Sequence, residues 1–396
     1  MPKRVWLLII GMVINITASS FLWPFNTIYI HTYLGKSLSV AGMALMINSL
    51  AAAVGNLAGG YMFDKIGGYK SILSGIIITL VSVAGLVMMH NWPLYVVWLA
   101  AIGLGSGMVF PSMYAMIATI WPEGGRRAFN ALYVSQNFGV ALGSALGGLV
   151  ASLRIDYIFL ANFLLYAVFF VLAVIGFRNI ETHATHIEKE ERKQSIWKIT
   201  PMFQSLLILC FAYLLCWGTY VQWQGVIPTH MQDLNISLQS YSLLWTVNGA
   251  FIVLGQPLIQ FIVRIIKASL KQQFMIGTVI FMISFAIVSQ AEHFGTYMIA
   301  MVILTFGEMF AWPAVPTIAN QLAPKGKAGF YQGLVNSAAT GGRMLGPLVG
   351  GMIFDAFHIH VLFIVILATL LLAFLIARFY DYKLVHKKEI DGKISV

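Results

Sequence analysis

Apolar runs of about 20 residues alternate with short polar connections along the whole chain, and a run of that length is what an α-helix needs to cross a bilayer core. The runs lack the short alternating pattern of a membrane β-barrel, which leaves helices as the spanning structure. We therefore predict an all-α membrane protein. The twelve predicted spans are 5–31, 39–63, 71–89, 93–120, 130–152, 157–177, 202–228, 240–263, 274–290, 296–321, 330–353 and 360–378.

One connection between predicted spans is longer and more polar than the rest. It runs from Arg178 to Lys198, with six predicted spans on each side. Residues also recur across it at a spacing of 200 to 203, which suggests a duplicated six-helix unit. Parallel repeats of this kind place a substrate site near the bilayer midplane, between the halves. The recurring pairs include Ser37 and Ser237, Asn48 and Asn248, Gly55 and Gly255, and Gly143 and Gly346. The predicted organisation is an N-terminal six-helix bundle at 1–177, a cytoplasmic linker at 178–201, a C-terminal six-helix bundle at 202–380 and a cytoplasmic tail at 381–396.

The composition and the charge distribution agree with a membrane protein. Hydrophobic residues make up 59% of the chain and charged residues only 10%, against about 25% charged residues in soluble proteins. On the predicted topology, 21 of the 24 lysines and arginines fall on one side, whereas Lys36 and Arg154 fall on the other and Arg343 lies within a span. The positive-inside rule then places both termini in the cytoplasm. We expect a multi-pass protein of a bacterial plasma membrane, whose net charge of +10 reflects topology and not nucleic-acid binding.

The connection after the second predicted span reads GYMFDKIGGYK. Its first glycine allows two helices to approach closely, and its Gly-Gly pair turns the chain sharply. The segment resembles the signature loop of the major facilitator superfamily, G-x-x-x-D-[RK]-x-G-[RG]-x-[RK]. The resemblance implies two six-helix bundles that transport by alternating access, with this loop as a conformational latch on the cytoplasmic side. The matching residues are Gly60, Asp64, Lys65, Gly67 and Lys70.

Asp64 is the residue to which the resemblance gives the latch role. It stands at the predicted cytoplasmic edge of the membrane, and we expect it to face the N-terminus of the eleventh predicted helix, near Phe330. A carboxylate at a helix N-terminus gains about 0.3–1 kcal/mol from the helix dipole. An ordinary charged hairpin between two spans is the alternative.

Two glycine-rich segments occupy corresponding places in the two halves. GVALGSALGG lies in the fifth predicted span and GRMLGPLVGG in the eleventh. Both resemble G-x-x-x-G-P-x-x-G-G, the motif of the antiporter branch of the superfamily, although Ser144 replaces the proline in the first segment. Small residues on one face let helices pack closely, and close packing without an antiport role is the alternative. The residues expected at these helix contacts are Gly143, Gly147, Gly346, Pro347 and Gly350.

One carboxylate interrupts the tenth predicted span. Glu308 stands about 11 residues into this span, or about 17 Å deep, in the segment LTFGEMFAWP. An acid at this depth costs about 2.5–3.5 kcal/mol and usually faces an internal cavity. The segment resembles the tenth helix of proton-driven multidrug exporters of the LmrP and MdtH type, which have a Gly-Glu pair here. We expect proton coupling to involve Glu308 and Arg343, which lies at a similar depth in the eleventh span; a pair that only neutralises charge within the fold is the alternative.

Aromatic and uncharged polar side chains recur at helical spacing in the first and seventh predicted spans. Such stripes also occur in helix packing and in lipid-facing belts, which is the alternative interpretation. Because these spans line the central cavity in the superfamily that the chain resembles, we expect the side chains to contact a flat, amphipathic substrate by stacking and cation–π interactions. The expected substrate-binding residues are Trp23, Asn26, Tyr213, Trp217, Tyr220 and Gln224.

Among members of the superfamily, the chain most resembles the drug:proton antiporters with twelve spans. The resemblance implies proton-coupled efflux of lipophilic or cationic drug-like compounds by a monomer, with a small-molecule substrate, protons and the lipid bilayer as its partners. The sequence has no P-loop motif, no nucleophile constellation and no set of metal ligands, so we expect neither an enzyme nor a bound cofactor or metal. The alternatives are a proton-coupled transporter of one defined metabolite (a sugar, a peptide or a lipid-linked sugar) and a transport-inactive sensor, which we would expect to carry an additional soluble domain.

Overall fold

The structure is a computed structural model that describes residues 1–22, 26–154, 157–178, 180, 200–382 and 384. These residues form helices and connections, without a β-strand among them. The α-helices are α1 Lys3–Leu22, α2 Asn26–Ile28, α3 Leu38–Ile66, α4 Gly68–Met88, α5 Leu94–Ile120, α6 Arg126–Leu153, α7 Tyr157–Gly176, α8 Pro201–Tyr220, α9 Ile227–Asp233, α10 Leu238–Ile265, α11 Leu270–Val288, α12 Phe294–Leu322 and α13 Ala328–Phe379. A π-helix at Tyr29–Tyr33 and 3₁₀ turns at Pro122–Gly124 and Val221–Trp223 complete the elements.

The helices account for the twelve predicted spans. Ten stretches of the described chain are long and apolar enough to cross a membrane. α6 covers the fifth predicted span but is not among the ten, and its glycines and polar side chains explain why. α13 covers the last two predicted spans in one element, and the backbone of His358 (φ 70°, ψ 170°) breaks the helical geometry between them. With α6 added and α13 divided at His358, the predicted all-α fold of twelve transmembrane helices is confirmed.

Two predicted spans contain more than one type of helix in the structure. The first, 5–31, contains α1, which ends at Leu22, and then α2 and the π-helix. The seventh, 202–228, contains α8, a 3₁₀ turn and the start of α9. Pro228 occupies the first turn of α9, where a missing backbone N–H costs nothing because that group has no partner within the helix. Hydropathy therefore located both spans but not the changes of helix type within them.

Contacts within the chain group it into two compact units. The first unit contains Met1–Glu188 and Pro324–Thr340, and the second contains Lys189–Ala323 and Gly341–Val396. The division thus falls inside α13, between Thr340 and Gly341. The predicted bundle boundaries stay a prediction, because most of the linker 178–201 and of the tail 381–396 lies outside the described residues.

In the first unit, glycines bring α3 and α5 close together. A Cβ atom on Gly59 would overlap the backbone of Met108, and one on Gly107 would overlap the backbone of Ala52. Small residues at such contacts let the backbones approach and gain van der Waals packing, which is the main attraction between helices in lipid. Large apolar side chains such as Phe169 fill the remaining core of this unit.

In the second unit, α11 and α12 pack in the same way. A Cβ on Gly277 would meet the carbonyl oxygen of Gly307, and a Cβ on Gly307 would meet the ring of Phe281. α12 also contains Pro313 and Pro316, each of which removes one backbone hydrogen bond from the helix. α12 therefore packs closely against α11 on one side. Its backbone hydrogen bonding is irregular just after Glu308.

Candidate functional site

Asp64, near the C-terminal end of α3, meets the first turn of α13 within the first unit. Its Oδ1 accepts a hydrogen bond from the N–H of Gly329 and its Oδ2 one from the N–H of Phe330, both at 2.8 Å. The first N–H groups of a helix have no partner inside it, so the carboxylate caps α13 with charge-assisted bonds. The contact near Phe330 that the sequence suggested is present. The function of Asp64 as a latch stays a prediction.

The contact between α3 and the start of α13 extends over several turns. A Cβ on Gly60 would overlap the carbonyl group of Gly329. Farther along, the Ser337 hydroxyl donates to the carbonyl of Ala53 at 3.0 Å. Position 60 therefore requires glycine, because the two backbones approach closely there.

The other residues of the signature loop surround this contact. Gly67 joins α3 to α4 at φ 90°, a conformation that favours glycine. The Lys65 ammonium lies 4.7 Å from the ring centre of Tyr61, a cation–π distance. Lys70 is exposed on α4. These two lysines add positive charge at this end of the helices, and within the described part of the chain the hydrogen bonds of the Asp64 carboxylate come from Gly329 and Phe330.

The glycine-rich segments pack on corresponding helices of the two units. In the first unit, a Cβ on Gly143 of α6 would meet the backbone carbonyl of Thr17 in α1. In the second, a Cβ on Gly346 of α13 would meet the backbone of Gly218 in α8, and one on Gly350 would overlap the side chain of Gln222. Gly147 is buried and Pro347 is exposed. Close packing accounts for the glycines, and their antiport role stays a prediction.

Glu308 is buried at the middle of α12, with only 2% of its surface exposed. Phe294 and Leu322, the ends of the helix, are each fourteen residues away, or about 21 Å. Asn248 of α10 donates through Nδ2 to Oε1 of Glu308 at 2.7 Å and to the Thr305 hydroxyl at 2.9 Å. A buried carboxylate requires such donors, because its desolvation is otherwise uncompensated.

The side chain of Tyr220, the last residue of α8, lies close enough to the Glu308 carboxyl group for the two to interact electrostatically. Tyr220 is itself buried, with 5% of its surface exposed. The carboxyl group is therefore contacted by side chains from α8 and α10, and it lies on α12. All three helices belong to the second unit, so the surroundings of Glu308 are fixed within that unit.

Asn248 was not among the residues expected at the site, although the sequence repeat pointed to its position. Its counterpart Asn48 in the first unit donates to the backbone carbonyl of Leu99 at 2.6 Å. The two asparagines thus make the same kind of interhelical bond, but only Asn248 makes it to an acid. The sequence repeat pairs Asn48 with Asn248, but only the structure shows that Asn248 forms its hydrogen bond with Glu308.

An aromatic cluster lies next to Glu308 and includes three of the expected substrate-binding residues. The ring of Trp312 is central: it stacks on Trp217 at 4.5 Å between ring centres, with an interplanar angle of 7°. It also makes edge contacts with Tyr213 at 5.5 Å and with Tyr220 at 5.6 Å. Phe281 of α11 completes the cluster, 5.1 Å from Trp312. Offset and edge contacts at these distances are favourable for aromatic rings.

Trp312 was absent from the expected site residues, and a sequence signal for it existed. It lies four residues after Glu308, which places both side chains on the same face of α12. Because its neighbours in the sequence are apolar, Trp312 resembles an ordinary residue of a membrane span. The spacing to the single acid in this span was the feature that could have identified it.

Arg343 of α13 lies over the aromatic cluster. Its guanidinium carbon is 4.6 Å from the ring centre of Trp217, a cation–π contact. Its positive charge also acts on Tyr213 and Tyr220. The Arg343 side chain is exposed, in contrast to the buried Glu308. The structure thus brings the expected coupling residues to one aromatic cluster in the second unit.

The remaining expected residues lie elsewhere. Asn26 of α2 is buried in the first unit and accepts a hydrogen bond from the Tyr95 hydroxyl at 2.8 Å. Gln224 is exposed, because α8 ends at Tyr220 and the helical face expected to continue to position 224 ends with it. Gln222 is buried instead, and its Nε2 donates to the carbonyl of Gly346 at 2.6 Å. Trp23 lies outside the described residues.

Comparison with known proteins identifies the family. Residues 8–342 and 224–394 match the model of the Major Facilitator Superfamily. Over 399 residues, the chain is 54% identical to YttB of Bacillus subtilis (strain 168), an uncharacterized MFS-type transporter, and the match covers 100% of both chains. The chain belongs to the Major Facilitator Superfamily. The resemblance carried by the signature loop is confirmed, and the protein is a multi-pass membrane transporter.

Other members of the Major Facilitator Superfamily are more distant. The chain is 26% identical over 369 residues to a Na(+), Li(+), K(+)/H(+) antiporter of Planococcus maritimus, covering 84% of this chain and 85% of the relative. It is 25% identical over 374 residues to the quinolone resistance protein NorA of Staphylococcus aureus (strain MRSA252), covering 91% and 92%. These relatives are consistent with the resemblance to the drug:proton antiporters.

Among solved structures, the human organic anion transporter MFSD10 (TETRAN) has the same fold. Its TM-score is 0.76 with 14% sequence identity, covering 95% of this chain and 100% of that chain. At such low identity the likeness concerns the fold alone.

Proposed function

We propose that this transporter exports lipophilic or cationic drug-like compounds in exchange for protons. The observation that carries the proposal is the buried carboxyl group of Glu308, which accepts a hydrogen bond from Asn248 and lies beside Tyr220 and the aromatic cluster. The names of two relatives, a quinolone resistance protein and a cation/H+ antiporter, support both parts of the proposal. The protein acts as a monomer in the plasma membrane, with both termini in the cytoplasm as the positive-inside rule indicates.

In this proposal Glu308 carries the proton. Its two partners suit a group that alternates between ionised and protonated forms. The Asn248 amide donates to a carboxyl oxygen in both forms, and the nearby Tyr220 hydroxyl has both donor and acceptor capacity. Arg343 takes part through its charge, which acts on Tyr220 and thereby on the immediate surroundings of Glu308.

The aromatic cluster provides the substrate contacts in this proposal. In this proposal the half-buried Trp217 contacts the substrate at its accessible edge and the buried Tyr213 and Tyr220 support it, which suits planar amphipathic compounds. The predicted contacts of Trp23, Asn26 and Gln224 belong to the same proposal. Asp64 and the signature loop act as the latch that alternates the access of the site.

The test is transport by the purified protein in proteoliposomes with an imposed pH gradient and a panel of lipophilic dyes. We expect accumulation of several dyes against their gradient in the wild type, and its loss in Glu308→Gln, which keeps the size but removes the titratable group. Glu292→Gln is the matched control, because Glu292 is exposed in the connection before α12. Uphill transport at the wild-type rate in Glu308→Gln would refute the assignment of the proton site, and transport of one metabolite with no dye would favour the metabolite transporter.

A further inference from the structure

The position of Arg343 over Trp217 follows from close packing of α13 on α8 in the second unit. A Cβ on Gly342 would overlap the backbone carbonyl of Leu214 and would lie 2.6 Å from the Cβ of Trp217. The next residue, Arg343, lies over the Trp217 side chain, and its guanidinium carbon is 4.6 Å from the ring centre. The opposite partner of this ring, Trp312, is stacked in nearly parallel orientation. The indole pair is a rigid platform for the cation.

This arrangement leaves the edge of the guanidinium group able to bind an anion. A guanidinium ion on an aromatic ring uses its face for the π contact, whereas its five N–H donors lie in its plane and point outward. Two neighbouring donors match the two oxygens of a carboxylate. A side chain with five donors retains donors for a ligand when other groups of the protein bind some of them. Arg343 is exposed, so a ligand can reach that edge.

Trp312, which stacks on Trp217, provides a second observation in the same aromatic cluster. It is buried, with 4% of its surface exposed, and its indole nitrogen has no hydrogen-bond acceptor among the described residues. A buried polar group without a partner is uncommon, and a ligand or a water molecule often satisfies it. The cluster thus presents a cation with in-plane donors and two indole N–H groups, those of Trp217 and Trp312, that lack an acceptor within the described part of the chain.

We propose that Arg343 and Trp217 form an anion subsite that binds the carboxylate of an aromatic substrate, whose ring packs beside the aromatic cluster. The inference rests on the proposed function, since it names a chemical class of substrate for that site. Zwitterionic aromatic compounds belong to this class, because the carboxylate meets Arg343 while the rest of the molecule meets the rings. Glu308 is assigned to the proton site and not to the anion subsite; its carboxyl group is buried and accepts a hydrogen bond from Asn248.

The experiment measures binding of two small probes to the purified full-length protein by calorimetry at neutral pH. 2-Naphthoate carries the carboxylate, and 2-naphthamide has the same ring system without charge. We expect naphthoate to bind about tenfold more tightly than naphthamide, which is the size of effect that a bidentate charged contact gives. In Arg343→Gln the ratio should fall to about one while naphthamide binding stays within about twofold, and Arg343→Lys should retain part of the preference. Arg264→Gln is the control, because Arg264 is exposed in the last turn of α10.

The outcomes separate this inference from the proposed function. A wild type that binds naphthoate no more tightly than naphthamide, or that binds neither, overturns the anion subsite. An Arg343→Gln variant that keeps the preference overturns it as well, and retained naphthamide binding shows that the variant is folded. If the preference depends on Arg343 but no pH gradient drives transport, the anion subsite stands and the proton-coupled function falls.

Discussion

Asn248 connects Glu308 of α12 to α10 through a single short hydrogen bond. We predict that Asn248→Leu, which keeps the size but removes the donor, lowers the initial rate of pH-driven transport about tenfold. Hydrogen bonds to charged groups contribute about 1.5–3 kcal/mol, and the ionised form of Glu308 would lose one of its donors. The measurement is dye uptake into inverted vesicles under a pH gradient, at equal amounts of folded protein.

Asn48→Leu is the control for this variant, because Asn48 makes the equivalent bond to the Leu99 carbonyl in the first unit. It should lower the thermal stability without a selective loss of pH-driven over downhill transport. Equal losses of both kinds of transport in the two variants would mean that Asn248 contributes only to stability.

At the residue scale, the sequence identified the acid but not its surroundings. Glu308 is conspicuous because an acid in the middle of an apolar run is costly, so its type and depth alone mark it. Asn248 and Trp312 are ordinary residue types in a membrane span, and their importance lies in which side chains they touch. The stacking of Arg343 on Trp217 could not be predicted either, since it depends on how close α13 approaches α8.

At the scale of helices, the capping of α13 by Asp64 offers a sharp test of the latch. We predict that Asp64→Asn lowers transport by about tenfold or more, with substrate binding largely intact. The amide keeps one acceptor oxygen, but its NH₂ group would face a backbone N–H, so one of the two charge-assisted bonds to Gly329 and Phe330 is lost. Transport is measured in proteoliposomes, and Glu123→Gln in an exposed turn of the first unit is the control. Wild-type transport in Asp64→Asn would exclude the latch.

The glycines of α13 differ in a way that predicts opposite effects of the same substitution. A Cβ on Gly346 would meet the backbone of Gly218 and the Val221 side chain, whereas a Cβ on Gly351 has nothing within 4 Å. Gly346→Ala should therefore lower the melting temperature of the purified protein by several degrees. Gly351→Ala should leave it unchanged or raise it slightly, because alanine favours helix by about 1 kcal/mol over glycine. Two variants with the same melting temperature would argue against tight packing of α13 on α8.

The spans themselves were predictable because their apolar length is set by the bilayer, which the sequence records directly. The details within them were not. The end of α8 at Tyr220 and the following 3₁₀ turn lie inside a continuous apolar run, so hydropathy gives no sign that Gln222 and not Gln224 turns inward. Conversely, α6 is recognisable as a span mainly from its glycine motif and its place in the repeat.

At the scale of the whole molecule, the two units share features of helix packing but differ in their buried polar groups. Corresponding helices meet at glycines in both, as Gly143 does with α1 and Gly346 does with α8. Corresponding asparagines bridge helices in both units, yet Asn48 bonds a backbone carbonyl and Asn248 bonds an acid. The capped helix end lies in the first unit and the acid with its aromatic cluster in the second. The first unit thus holds the expected latch and the second the expected proton site, and the sequence repeat alone could not indicate which unit holds which.

The direction of α12 across the membrane decides how Glu308 relates to the two sides. Glu292 precedes this helix and Lys325 follows it, and both side chains are exposed. The excess of lysine and arginine on one side predicts that Lys325 is cytoplasmic and Glu292 external.

In a variant with Cys210 and Cys216 replaced by serine, we expect Glu292→Cys to react with a membrane-impermeant maleimide in intact cells. Lys325→Cys should react only after the cells are permeabilised. Since Glu308 is fourteen residues from both ends of α12, this result would place it about 21 Å along the helix from either side, so a proton would have to reach it through the protein from each face in turn. The reverse labelling pattern would invert the topology and with it the direction of proton-driven transport.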